Sequence, residues 1–311
     1  MLRRLLVFLA SLIVVALLLT ACGRSATVVP TGAVSVTVSI VPQEYFVQRI
    51  GGEHVQVNVM VGRGDEPHTY EPKPEQLRSL STAQVYLRAG VDFEDVWMDR
   101  ITASNPDMLI VDTTAGIERT SMAAPDIHGE EERHDADEPA DASDDDEAEH
   151  PDPHVWLSPR LAKVQARNIG EALIQIDPGH QEQYAANLAY FLADIDTLDA
   201  VIRDTLQGLS QRSFIVFHPS WGYFARDYGL EMIPVEIGGQ EPSAAELAAI
   251  ISYAQEEEIE VIFAQPELST RSAETIAGEI GGQVVLVSPL APDWLDNLYR
   301  VADAFAQALD G

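Results

Sequence analysis

The 311-residue chain carries 50 Asp and Glu against 19 Lys and Arg, a formal net charge of −31, with eight His and one Cys. So acidic a chain repels phosphate backbones, which excludes nucleic acid as a partner. One cysteine also excludes a disulfide framework and a thiolate metal cage, so any transition-metal ligands must be nitrogen or oxygen.

Residues 1–21 read as a signal peptide: Arg3 and Arg4 precede an apolar run, Leu5 to Leu19, that is short for a membrane span. Leu19-Thr20-Ala21-Cys22 then resembles a bacterial lipobox, in which the cysteine is lipidated and becomes the mature N-terminus. Cys22 is therefore the expected lipidation site, and the chain is expected to be extracytoplasmic, held at the cell membrane by its lipid. Residues 22–32 are small and polar, with Pro30 and Gly32, and read as a tether. The rest of the chain, from Ala33 to Gly311, is long enough for two cores of ordinary size.

Val34 to Val41 alternates apolar and polar residues up to Pro42 and predicts a strand, as does Val55 to Val61. Between them Gln43 to Ile50 predicts a short amphipathic helix, stopped by Gly51-Gly52. Residues 62–74 form a loop; Pro74 then opens a helix through Leu80, followed by a strand (83–89), a helix (93–101) and a short strand (108–112). This alternation predicts an α/β fold with a parallel sheet flanked by helices. Residues 120–150 break it. They hold almost no large apolar side chains, and from Asp126 to Asp152 fourteen acids stand against one Arg, a net of −13. Such a segment cannot offset its ordering entropy by burial and reads as a disordered acidic loop.

Pro159 opens a helix to about Ile176. Beyond the turn at Asp177-Pro178-Gly179, the residues Tyr184, Leu188, Phe191, Ile195, Leu198, Ile202 and Leu206 step by four or three, with neither Pro nor Gly from Gln181 to Gln207. A helix of about 28 residues spans about 42 Å at 1.5 Å per residue and reads as a rigid strut. The second half repeats the alternation: strands at 213–217, 231–235, 259–264 and 283–287, a helix capped by Ser243 with Glu246, another at 272–280, and a final helix from Asp293. The expected organisation is an N-terminal lobe (33–177), a linking helix (178–208) and a C-terminal lobe (209–311).

Three histidines are clamped by proline: Pro67-His68, Pro153-His154 and His218-Pro219, spaced 86 and 64 residues apart. Proline holds its neighbour extended and presents the ring from a rigid loop end. His68 and His218 each follow a strand, and ligands of open parallel sheets bind beyond the carboxyl ends of strands. The three imidazoles therefore predict one metal site between the lobes. Neutral imidazoles suit Zn2+; hard cations want oxygen, and Mn2+ prefers more carboxylate.

Glu66-Pro67-His68-Thr69-Tyr70-Glu71-Pro72, Asp152-Pro153-His154-Val155-Trp156-Leu157-Ser158-Pro159, His218-Pro219-Ser220-Trp221-Gly222-Tyr223-Phe224 and Gly238-Gly239-Gln240-Glu241-Pro242-Ser243 stand in this order. With them, residues 34–311 resemble the metal-binding lipoproteins of zinc/manganese ABC importers, the zinc-uptake solute-binding protein family. The resemblance implies two lobes joined by one rigid helix and metal ligands at His68, His154 and His218. It also implies partnership with a separate permease and ATPase, and a histidine at the third position points to zinc rather than manganese. Ser288 stands where many relatives carry a ligand aspartate, which leaves the fourth position to water or a nearby carboxylate such as Glu66. The acidic loop holds only three histidines, fewer than in zinc-specific relatives, and reads as a weak metal collector or a solvated spacer. Trp156 and Trp221 are expected to pack behind the ligands.

Two other functions compete. A zinc hydrolase also uses three histidines and an open position, but no His-Glu-x-x-His occurs and no carboxylate is spaced as an obvious general base, so an enzyme is not expected. Cell adhesion, a label attached to the family, finds no supporting feature in the residues.

Overall fold

The computed structural model describes residues 32–122, 151–236, 242–268 and 270–310. The signal peptide, Cys22, the acidic run 126–149 with His128 and His134, and His150 lie outside the described residues.

In the first half, β1 (Val34–Ile40), α1 (Val41–Gly51), β2 (Val55–Val61), α2 (Pro74–Leu80), β3 (Val85–Arg88), α3 (Asp92–Ser104) and β4 (Leu109–Asp112) succeed one another. Their strands pair in parallel in the order β2-β1-β3-β4. Pro42, expected to close the first strand, instead sits in the first turn of α1, where its missing N–H has no intrahelical partner to lose. Next come α4 (Pro159–Ile176) and α5 (Gln181–Thr205). Ser158 caps α4 by accepting from Leu161 N at 3.2 Å. The second half runs β5 (Ser213–Val216), α6 (Gly222–Tyr228), β6 (Glu231–Pro234), α7 (Ala244–Glu256), β7 (Val261–Ala264), α8 (Arg271–Ile280), β8 (Gln283–Leu286) and α9 (Trp294–Leu309). Its strands are again all parallel, in the order β6-β5-β7-β8. The protein thus has two lobes, each a four-stranded parallel sheet flanked by helices, and α5 runs between them in sequence. The expected capping box forms: Ser243 N donates to Glu246 Oε2 at 2.7 Å, and Glu246 N to Ser243 Oγ at 3.3 Å.

Helix α5 spans about 37 Å and buries Tyr184, Phe191, Ile195, Leu198 and Ile202. It packs against α1 and α4 of the first half and α9 of the second. The apolar interior tracks that helix. One cluster takes in β1, β3 and the inner face of α5 and continues to Phe214, Val216 and Phe263 of the second sheet; a smaller one, with Ile215, Ile233 and Ile262, lies under α7 and α8. One core per half was the expectation. Instead the larger core passes from one sheet to the other through α5 and α9. Trp294 is the joint: its ring meets Phe46 edge-on at 4.9 Å and Phe191 at 6.2 Å, and its Nε1 donates to Trp156 O at 2.8 Å.

Thr120 and Ser121, expected at the start of a disordered loop, are paired. Ser121 bridges Pro151 antiparallel, and Asp152 N donates to Thr120 O at 2.8 Å. Backbone pairing here does not depend on the composition of the intervening residues, so composition carries no sign of it.

A core shared between the sheets should melt as a unit, so calorimetry on the full chain is expected to give one cooperative transition rather than two. Trp294→Ala should cost about 3–5 kcal/mol in urea denaturation. Val96→Ala, at a position 77% exposed, should stay within about 0.5 kcal/mol.

Candidate metal centre

All strands of each sheet are parallel, so their carboxyl ends share one edge, and the histidines gather there. His68 lies in the loop after β2, His218 two residues beyond β5, and His154 at the start of the one-turn 3-10 helix Val155–Leu157. Each loop is fastened. The Tyr70 hydroxyl donates to Gln76 Oε1 at 2.6 Å, and Trp156 Nε1 to Pro289 O at 2.8 Å. Phe217 N donates to Phe263 O at 2.9 Å, extending the β5–β7 ladder to the residue before His218.

The structure brings all three histidines together. Their ring centroids are 5.5 Å (68–154), 4.8 Å (68–218) and 5.3 Å (154–218) apart. One ring nitrogen from each lies within 4.8 Å of the others, and His68 Nε2 is 3.1 Å from His218 Nε2. A tetrahedral ion with bonds of ~2.0–2.1 Å holds its nitrogens ~3.3 Å apart, so small side-chain adjustments would close this set around an ion. The rings line a cavity of about 10 Å³, together with Glu66, Trp156, Ser220, Gln265 and Leu290. That is room for about one water-sized body. A larger cavity of about 480 Å³, lined by Ser81, Gln84, Asn105 and Gln175 among others, opens at the amino ends of β3 and β4, away from this chemistry.

Each imidazole is held by a carboxylate at Nδ1: His68 by Asp92 at 2.8 Å, His154 by Asp152 at 2.7 Å, and His218 by Glu236 at 2.6 Å. An ionised carboxylate accepts, so the proton sits on Nδ1 and the Nε2 lone pair is left facing the cavity. Sequence reasoning misses Asp92 and Glu236, and takes Asp152 only as part of its motif. Their signal is position: Asp92 opens the helix after β3, and Glu236 lies just beyond β6, both at the edge where the histidines gather. Burial alone would weaken proton binding at His68, but the Asp92 hydrogen bond, with the charges of Asp92, Glu66 and Glu236, outweighs it and raises its pKa. At the fully enclosed His154 burial wins over Asp152, and the pKa is lowered.

Glu66 is at the cavity wall. Its Oε1 accepts from His68 N at 3.2 Å and lies 3.8 Å from His68 Nε2, but it falls outside the three-nitrogen cluster. The Ser288 hydroxyl donates to Glu267 and does not line the cavity. Trp156 does pack on the site, its ring 5.3 Å from that of His154. Trp221 instead packs in the second half against Phe224 at 5.7 Å and Phe305 at 6.1 Å, because α6 turns its ring toward α9.

Residues 36–308 match the model of the family described as zinc-uptake complex component A, periplasmic (ZnuA). The chain belongs to this family. The high-affinity zinc uptake system protein ZnuA of Bacillus subtilis is 30% identical over 282 residues, covering 88% of this chain and 85% of that protein. The zinc-binding protein AdcA of Streptococcus pyogenes is 29% identical over 85% of this chain, which spans only 52% of AdcA. Among solved structures, a crystal structure of a ZnuA deletion mutant with zinc bound is 44% identical, with a TM-score of 0.80 over 90% of this chain and 99% of that one. The chain is thus a member of a zinc-uptake solute-binding family, a transport family rather than an enzyme family.

The two perturbed imidazoles should titrate in a fixed order. As pH falls on metal-free protein, NMR of the ring carbons should show His68 protonating above the ordinary value of ~6.5 and His154 below it. Because a protonated ring cannot ligate, metal affinity should begin to weaken above pH ~6.5 on acidification.

Proposed function

We propose that the protein captures Zn2+ between its two lobes, through Nε2 of His68, His154 and His218, and delivers it to a separate ABC permease and ATPase. One observation carries this reading: three imidazoles from distant segments converge on one small cavity, each with a carboxylate on its outer nitrogen. Nitrogen donors of this number and neutrality suit zinc, and the surrounding carboxylates favour a cation over any anion. The fourth position falls to water or Glu66. Cys22, in its lipobox, is the membrane anchor that keeps the protein outside the cytoplasm. In this reading α5 is the strut between a lobe of residues 33–177 and one of 209–311. Among the described residues, no carboxylate at the site is set apart to activate a water. Asp92, Asp152 and Glu236 are bonded to imidazoles, and Glu66 accepts the His68 amide.

Competitive loading with Zn2+ and Mn2+ and then elemental analysis tests the reading, with one tightly held zinc per chain expected. Manganese retained in preference to zinc would replace it with the manganese alternative, and hydrolysis of peptide or ester substrates by the zinc-loaded protein with the hydrolase one. His154→Ala should lose several kcal/mol of zinc affinity, about 100-fold or more by chelator competition. Deleting residues 126–149 should leave the tight zinc in place; its disappearance would make the acidic segment the primary binder.

A further inference from the structure

Residues 120–121 and 151–152 meet beside the metal centre, and one phenol is built into that junction. Thr120 and Asp152 face each other next to the Ser121–Pro151 bridge, and Asp152 N donates directly to Thr120 O at 2.8 Å. The return bond is relayed. Thr120 N donates to the Tyr223 hydroxyl at 3.2 Å, and that hydroxyl donates to Asp152 O at 2.9 Å. Tyr223 belongs to the first turn of α6, in the opposite half of the chain, and is itself buried, with the Arg226 guanidinium 5.0 Å from its ring centroid. The preceding residue reinforces the contact. A Cβ on Gly222 would lie 3.1 Å from Asp152 Oδ2, so the helix approaches the carboxylate about as closely as glycine allows. The other oxygen of that carboxylate, Oδ1, accepts from both His154 N at 2.9 Å and His154 Nδ1 at 2.7 Å.

We propose that the first turn of α6 is a positioning element of the metal centre: the Tyr223 phenol locks Asp152 into the junction, and Asp152 in turn orients His154. The inference rests on the reading of His154 as a metal ligand. Deleting the hydroxyl leaves the carbonyl of the buried Asp152 without its donor, and that carbonyl can pair again only if the junction closes on it. That closure moves Asp152, and the imidazole bonded to it moves too. Gly222 acts on the same carboxylate from its other oxygen. One turn of helix from the second half thereby sets the aim of a ring carried on the segment that returns to the first.

The test uses the full chain, with Zn2+ affinity from chelator competition and the visible d–d spectrum of the Co2+-loaded protein. Variants are Tyr223→Phe, Asp152→Asn, the two combined, and His154→Ala. Tyr223→Phe is expected to weaken zinc about 10–100-fold, in the range of other partners that orient metal ligands, and to shift the Co2+ bands. The combined variant should lose no more than the weaker-binding single one, because both act through Asp152. Parent-like affinity and bands in Tyr223→Phe overturn the proposal, provided His154→Ala is defective; additive losses in the combined variant also overturn it. Parent-like binding by His154→Ala would instead remove His154 from the site, a separate failure. If Tyr223→Phe does not fold, Gly222→Ala keeps the phenol while crowding Asp152, and it should shift the same Co2+ bands. Unchanged bands there count against the proposal equally.

Discussion

The bond from an imidazole Nδ1 to a carboxylate is the interaction on which the centre depends. A free imidazole can turn either nitrogen toward its neighbours, and three of them in one small space would bond to one another. His68 and His218 already approach within 3.1 Å through their Nε2 atoms. Fastening Nδ1 to Asp92, Asp152 and Glu236 removes that freedom. It fixes the tautomer, turns every Nε2 inward, and lends each ring some negative charge without placing a carboxylate in the cavity itself. The cost is three acids close together at the mouths of two sheets. Partial exposure of Asp92, whose side chain is 44% accessible, and the second bond that Asp152 Oδ1 accepts, from His154 N, help to offset it.

Holding such bonds in register across two sheets requires that the sheets not drift, and the apolar interior supplies that. Trp294 packs on Phe46 of the first half and Phe191 of α5 and donates to the backbone of Trp156, while Trp156 donates to Pro289 in the second half. These two indoles cross-link the halves directly beneath His154. With α5 packed against helices from both sides, the cleft is the gap left by a nearly continuous core rather than a hinge between independent bodies. A distance between imidazoles is thereby set by side-chain packing, which resists small displacements steeply.

Whatever repeats or is covalently local can be read from the residues alone. The apolar residues of α5 recur every three or four positions with no Pro or Gly, so that helix is legible almost to its ends. The strands of both sheets are legible from alternation and apolar runs, although β3 and β7 begin two residues later than expected, at Val85 and Val261, and β8 ends one residue earlier, at Leu286. His68, His154 and His218 stand out because proline marks each of them. Their partners do not. Asp92 is 24 residues from His68, and Glu236 is 18 from His218; only strand order makes them neighbours. Trp221 eludes the sequence for a related reason, since a motif records which residues are adjacent in the chain but not which way a helix turns its face.

Asp152 shows how far environment can separate residues of one type. In the sequence it is the last of fourteen acids in 27 residues, and only its place in the motif with His154 sets it apart from that run. In the structure it is 2% exposed, with one oxygen holding both the amide and the ring of His154 and its carbonyl held by Tyr223. Burying a carboxylate is costly unless its lone pairs are used, and here Oδ1 accepts two bonds from His154. The same side chain that adds one charge to a run elsewhere becomes, two residues before a histidine and against the first turn of α6, the fixed point from which that histidine is aimed.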